Sequence, residues 1–231
     1  MLRALLLFAL IAIPADAAER RVAIGSFDRV RIDGPFEVHI DTGRSPGGTI
    51  AGDPSAIETV ELRTDGNTLV IRRGIGGWAE QHRAAPTAPI VVRLGTIDLA
   101  GALVVAGGTL SVTRMRGDRI DLSVTGAGSI VVGEASGDSL NATVIGAGTI
   151  GIAGRTGRAR LVTNGTGTID AAALDAGELF VRLDGPGAIQ ARAHYTATVD
   201  DVGLGRVTVL GDPKCTVRAA AGGPVTCGPA Q

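Results

Sequence analysis

Gly126-Ala127-Gly128-Ser129-Ile130 returns as Gly146-Ala147-Gly148-Thr149-Ile150, then as Gly165-Thr166-Gly167-Thr168-Ile169, Gly185-Pro186-Gly187-Ala188-Ile189 and Gly203-Leu204-Gly205-Arg206-Val207. The second glycines are spaced 20, 19, 20 and 18 residues apart, and a weaker copy, Gly107-Gly108-Thr109-Leu110, places Gly108 another 20 upstream. On both sides of each Gly-x-Gly the residues alternate. Ile120, Leu122, Val124, Gly126, Gly128, Ile130 and Val132 share one phase, while Asp121, Ser123, Thr125, Ala127 and Ser129 share the other. Leu140, Ala142, Val144, Ile150 and Ile152 repeat the apolar phase, as do Leu179, Val181, Leu183 and Ile189. Period-two alternation of this kind is the pattern of half-buried β-strands. A helical reading fails, because each interior glycine costs a helix about 1 kcal/mol and the apolar positions are rich in β-branched residues. One such unit cannot bury its own apolar face, whereas stacking units about 4.8 Å apart buries a continuous column and pairs the backbone. The expected fold is all-β: a single-domain parallel β-solenoid with rungs of about 20 residues.

Both glycines of each pair (Gly126 and Gly128, Gly146 and Gly148, Gly165 and Gly167, Gly185 and Gly187, Gly203 and Gly205) fall on the inward phase. They are read as rung corners that either leave no room for a Cβ or need a positive φ. Asp201 is a misfit at the inward position that Val124, Val144 and Leu183 occupy. It is expected at a bulge or at the last rung, where the core opens toward a cap.

The composition fits a narrow column. Glycine is 35 of 231 residues and the six aromatics are four Phe, one Trp and one Tyr, so the core must be thin and built from Val, Ile, Leu and Ala. With 45% hydrophobic residues and a net charge of −1, the chain is too apolar for disorder. It also lacks the overall basic excess of a dedicated nucleic-acid binder.

Residues 1–17 read as a signal peptide: Arg3, an apolar run from Ala4 to Ile13, Pro14, and small residues at Ala15 and Ala17. The run is well short of the roughly 20 residues of a membrane-spanning helix. No transmembrane segment is expected after cleavage, and the mature chain is expected in the periplasm or at the cell surface. In that compartment Cys215 and Cys227 read as one disulfide, a clasp over 212–228. The solenoid itself occupies 18–231, with its repeats clearest in 100–211. Upstream, Phe27, Val30, Ile32, Phe36, Val38, Ile40, Val60, Leu62, Leu69 and Ile71 mark shorter, less regular strands, as a terminal capping repeat requires. Arg73 to Pro89 reads as a surface loop, with Trp78 as a plug over the core or an exposed contact.

Gly25-Ser26-Phe27-Asp28 with Val30, Ile32, Gly34, Phe36 and Val38, then Gly52-Asp53 and Leu69-Val70-Ile71, followed by the Gly-x-Gly rungs, resembles the family described as putative autotransporter adhesin, head GIN domain. The resemblance covers about residues 22 to 228. It implies a right-handed parallel β-helix, an exported envelope protein, and no catalytic residues to carry over.

Motifs that spell catalytic sites do not have the surroundings those sites need. Gly43-Arg44-Ser45-Pro46-Gly47 matches a nucleophile elbow, but Pro46 lacks the N–H that an oxyanion hole requires. Gly137-Asp138-Ser139-Leu140 spells an esterase signature without that family's Asp-x-x-His partner. Gly146 to Gly151 completes a dinucleotide fingerprint with no helix to follow it. His39, His82 and His194 are scattered, the two cysteines are too widely spaced for a redox pair, and the nine-residue calcium repeat is missing, so no metal or cofactor is expected.

Two functions stay open. The first is a non-catalytic envelope solenoid that binds an envelope polymer, a cell surface or another copy of itself through outward hydroxyls at Ser123, Thr143, Ser129, Thr149 and Thr168. The second is a polysaccharide-acting enzyme that gathers Asp121, Asp170, Asp184 and Asp200, with Arg160, Arg182 and Arg192, on the outward phase.

Overall fold

The alternation resolves into one coiled sheet whose two faces oppose each other across a thin apolar layer. The computed structural model describes residues 18–74 and 89–228. The expected signal peptide and Trp78 lie outside the described residues.

The chain forms β1 (Ala18–Val22), β2 (Arg29–Asp33), β3 (Phe36–Thr42), β4 (Gly47–Gly52), a short helix α1 (Pro54–Ile57), β5 (Val60–Asp65), β6 (Thr68–Arg73), β7 (Ile90–Thr96), β8 (Gly101–Val105), β9 (Thr109–Arg116) and β10 (Arg119–Gly126). Four long strands follow, β11 (Ser129–Gly146), β12 (Thr149–Asn164), β13 (Thr168–Asp184) and β14 (Ala188–Asp201), and then β15 (Arg206–Gly211), β16 (Lys214–Ala219) and β17 (Val225–Cys227). Each long strand belongs to both faces. The first part of β11 pairs with β9 and its second part with β10, and both parts pair in parallel with β12. One face is therefore β2, β8, β10 and the second halves of β11 to β14. The other is β3, β9 and the first halves of those strands, followed by β15. The result is a parallel β-solenoid of about six turns.

Register puts like on like. Leu110, Ile130, Ile150, Ile169, Ile189 and Val207 stack in one column, and Leu122, Ala142, Leu161, Val181 and Val199 in the facing one. These residues are buried, and among the described residues the only aromatics in the core are Phe27 and Phe36. Because the apolar side chains are short, the two faces close on each other without aromatic filler.

The stacking order departs from chain order at the amino-terminal end. β2 pairs with β6 on one side and β8 on the other, and β3 lies between β7 and β9. The first rung is thus an inner rung. β4 to β7 leave it and build the end of the column beneath it, and the chain then returns past the start of β2, where the Ala100 N–H donates to the Asp28 carbonyl at 2.8 Å. Buried Thr96 secures the crossing by donating its hydroxyl to the Phe27 carbonyl at 2.6 Å. At this end the pairing turns antiparallel, with β1 on β4, β4 on β7 and β5 on β6. Asp53 caps α1 by accepting from the N–H of Ser55 at 2.9 Å, and Ile57 is buried. At the opposite end β16 lies on β14 and β17 on β15, and the expected disulfide joins them, with Cα atoms of Cys215 and Cys227 6.3 Å apart.

The two glycines of a corner do different jobs. Gly126, Gly146, Gly165 and Gly185 have φ between +95° and +116° and are exposed or half-exposed rather than inward. Gly128, Gly148, Gly167 and Gly187 are buried without a positive φ. A Cβ on Gly128 would stand 2.7 Å from the Gly108 carbonyl oxygen and 2.6 Å from Val104 Cγ1. Two inward glycines would need strict alternation through the corner, and the positive φ breaks it. Gly203 is the exception: it is buried and shows no positive φ.

Asp201 is not at the end of the column as expected but one rung before it, where β16 pairs over it through Ala219. It is wholly buried at the end of β14, and its Oδ1 accepts from the Gly203 N–H at 3.0 Å. Its side chain therefore holds the corner that the positive φ of Gly185 forms one turn earlier.

Candidate functional site

With the apolar phase consumed by the core, chemistry is left to the outward phase. There the corners decide which side chains meet. Ser123 and Thr143 are in register on the face of β10, whereas Ser129, Thr149 and Thr168 are in register on the opposite face. The expected single hydroxyl ladder is therefore two ladders, separated by the Gly-x-Gly corner.

The acidic and basic positions divide in the same way. Asp170 and Arg192 lie on the face of β15, while Asp121, Asp184, Asp200, Arg160 and Arg182 lie on the face of β10. They do not gather into one acid and base cluster. Asp200 accepts from Arg182 Nη1 at 2.8 Å across adjacent rungs, and Asp170 Oδ1 accepts from the Ala172 N–H at 3.1 Å. Asp121 accepts from Arg119 Nε at 2.9 Å and from Asn141 Nδ2 at 3.0 Å. A carboxylate already engaged by two donors is poorly placed to exchange protons with a substrate.

One column on the face of β10 runs along the solenoid axis: Arg29, Gly101, Asp121, Asn141, Arg160 and Phe180, in register from β2 to β13. Beside it runs Arg31, Leu103, Ser123 and Thr143. Because β8 contributes Gly101 to the first column, the surface dips there into an open depression of about 650 Å³. Arg29, Arg31, Arg119 and Arg160 line it against the single carboxylate of Asp121. Arg31 is held by Asp33 through Nε at 2.9 Å, and Arg29 reaches Asp121 only at 3.9 Å. Arg160 lies over the Phe180 ring, its Cζ 4.4 Å from the centroid, and among the described residues it has no carboxylate partner. Beyond it a smaller depression continues along Arg158, Phe180, Thr196 and Thr198.

Of these residues Arg160 and Asp121 are expected from the sequence, whereas Arg29, Gly101 and Phe180 are not. Phase alone marks Arg29 and Phe180 as outward. What brings Arg29 to Gly101 is the crossover of the first rung, which has no local signal.

The corner opposite the Gly-x-Gly has its own column, Gly117, Gly137, Gly157 and Gly177, at a constant spacing of 20. A Cβ on Gly157 would stand 2.8 Å from the Asp138 carbonyl oxygen, and one on Gly177 2.7 Å from that of Gly157. The esterase-like Gly137-Asp138-Ser139 is part of this corner and lies inside β11. His194 and Tyr195 take over one turn later, with Tyr195 73% exposed.

Set against known proteins, residues 26–213 match the model of the family described as putative auto-transporter adhesin, head GIN domain. The chain belongs to this family. A search of curated proteins finds no match. Among solved structures, the head GIN chain is similar to a putative adhesin from Bacteroides fragilis, with a TM-score of 0.74 at 17% identity, covering 93% of this chain and 94% of that one. A putative adhesin from Parabacteroides merdae gives 0.70 at 18% identity, covering 94% and 98%. A structure called a putative lipid binding protein, from Parabacteroides distasonis, gives 0.62 at 16% identity, covering 93% and 95%. These likenesses show a shared fold over nearly the whole length of the head GIN domain. Among the described residues, no helix is long and apolar enough to cross a membrane.

Proposed function

We propose that this head GIN domain is an exported, non-catalytic binding protein of the cell envelope, working in the periplasm or at the cell surface after removal of residues 1–17. The observation that carries the reading is the outward column from Arg29 to Phe180. It is an in-register row of Arg, Asp, Asn and aromatic side chains on a parallel sheet, with an open depression rather than a closed cleft. Such a surface suits contact with an extended partner. Backbone ladders fix the spacing of side chains, so little conformational freedom is lost on binding.

The family description and the adhesin names of its structural neighbours support the same reading, and the disulfide fits an oxidising compartment. The carboxylates that an enzymatic reading needs are spread over two faces, and Asp121 and Asp200 are engaged by arginine. The partners that fit are an envelope polymer, a cell surface or a second copy of the chain.

The test is binding of the purified, disulfide-intact mature protein to whole cells, to isolated envelope polymers and to itself, by pull-down and sedimentation. Saturable association with at least one is expected. Absence of association with all three would overturn the reading.

A further inference from the structure

We propose that the depression over Gly101 is a binding site for an acidic polysaccharide, one whose sugar units carry carboxylates, laid along the solenoid axis. This inference rests on the binding reading above and names the chemistry of its ligand.

The first feature of the depression is its charge. The chain as a whole carries −1, yet four arginines and one aspartate line this depression, and with Asp33 paired to Arg31 beside it two positive charges remain in excess. Positive charge is concentrated at one place on a nearly neutral molecule, which favours an anionic partner at that place.

The second is preorganisation. Guanidinium groups recognise carboxylates through paired N–H donors, and a fixed guanidinium loses less freedom on binding than a mobile one. Arg119 is anchored to Asp121 through Nε, at 2.9 and 3.1 Å, so its terminal nitrogens are not used in that contact. Arg31 is anchored to Asp33 in the same manner, at 2.9 and 3.0 Å. Arg160 is held by the face of Phe180 and spends none of its charge on a carboxylate. The stem of Arg29 lies across Gly101, where a Cβ would stand 3.0 Å from Arg29 Cγ.

The third is the mixture of groups. Ser123, Thr143 and Asn141 line the same depression, offering neutral donors and acceptors of the kind that pair with sugar hydroxyls. From β2 to β12 the column crosses four strand spacings, about 19 Å at about 4.8 Å each. Cations at the two ends of a run that long, with Asn141 and the Arg119-paired Asp121 between, match a polymer with charge at intervals better than one small anion. An anionic bilayer would be met by a convex, apolar-tipped surface; here the surface is concave, and Leu103 is the only large aliphatic side chain on its outward phase.

The test uses the mature protein with its disulfide intact and oligogalacturonate as the probe, by calorimetry at low and at physiological salt. A neutral oligosaccharide of similar length, inorganic phosphate and phosphatidylglycerol vesicles are the comparison arms. Saturable binding of oligogalacturonate is expected, weakened by salt, with no measurable binding in the other arms. Arg160→Gln and Arg29→Gln should each weaken it about tenfold, and Phe180→Ala should weaken it less. Gly101→Leu, which fills the floor without changing charge, should also weaken it, while Arg206→Gln on the opposite face leaves it unchanged. Circular dichroism confirms that each variant is folded.

Failure of the wild-type protein to bind oligogalacturonate at low salt overturns the inference, as does binding indifferent to Arg29, Arg160 and Gly101. Binding to vesicles or phosphate alone also overturns it. If the protein still associates with cells or envelope polymers in those cases, the broader binding reading stands; if it associates with none, that reading falls as well.

Discussion

If the two glycines of a rung corner serve different physical needs, substitutions there should follow opposite orders. Gly126 has φ +95°, and a Cβ placed on it meets nothing closer than the Ala106 nitrogen at 3.8 Å. The obstacle there is conformational only. Alanine in the left-handed region costs about 1–2 kcal/mol, partly offset by about 0.4–1 kcal/mol from a less flexible unfolded chain. Gly126→Ala should therefore destabilise by about 1 kcal/mol, and Gly126→Asn by less, because Asn tolerates positive φ better. At Gly128 the conformation is ordinary but the space is filled, by a carbonyl oxygen at 2.7 Å and a valine methyl at 2.6 Å. Overpacking of this kind costs about 1–3 kcal/mol, and a larger side chain costs more. Gly128→Asn should thus be worse than Gly128→Ala, the reverse of the order at Gly126. Exposed Ala127, between them, should accept Asn within about 0.5 kcal/mol. For a chain of this size 1 kcal/mol corresponds to roughly 2–4 °C in Tm, so thermal melts with urea titration resolve the five variants. The same order of Ala and Asn at both glycines, or a cost at Ala127 equal to that at Gly128, would refute the division of labour.

Three further outcomes test the column. Replacing Cys215 and Cys227 by Ser should cost about 3 kcal/mol for a loop of this length, with hydrogen exchange rising in β15 to β17 and unchanged in β11; exchange rising evenly along the column would contradict a local clasp. Asp201→Ala leaves the buried Gly203 N–H without its acceptor and should cost about 1–3 kcal/mol, whereas Asp201→Asn keeps an acceptor and should recover most of the loss in a urea titration. Ile150→Ala in the isoleucine column should cost about 2–5 kcal/mol, while Ile145→Ala, at a side chain 50% exposed, should fall within about 0.5 kcal/mol; equal losses would mean that the inward and outward phases are misassigned.

Which residues face in is legible from sequence because it depends only on alternation along one strand. Ile120, Leu122 and Val124, like Leu140, Ala142 and Val144, declare their phase without reference to anything distant, and all six are buried. Which face an outward residue occupies is harder, because it depends on how many corners separate it from its neighbour. Ser123 and Ser129 are six residues apart and both outward, yet the Gly126–Gly128 corner puts them on opposite sides of the molecule. The second corner was also readable, from Gly117, Gly137, Gly157 and Gly177, but its glycines stand singly and inside continuous strands, so they punctuate the pattern less than a Gly-x-Gly does.

The depression depends on a step that no local pattern records. Had the rungs stacked in chain order, β3 would have been followed by the strands of 47–73 and β2 would have been buried under them, several spacings from β10. Instead β4 to β7 lie beneath the first rung and the chain re-enters above it at Ala100, so that β8 slides between β2 and β10. Arg29 and Asp121 then flank the same glycine, though they are 92 residues apart in sequence. A side chain in place of Gly101 would fill that gap and separate Arg29 from Arg119 and Asp121. The crossover that closes the amino-terminal end of the column is thus also what places the amino-terminal arginines beside those of the regular rungs, and capping and the proposed recognition surface share one topological cause.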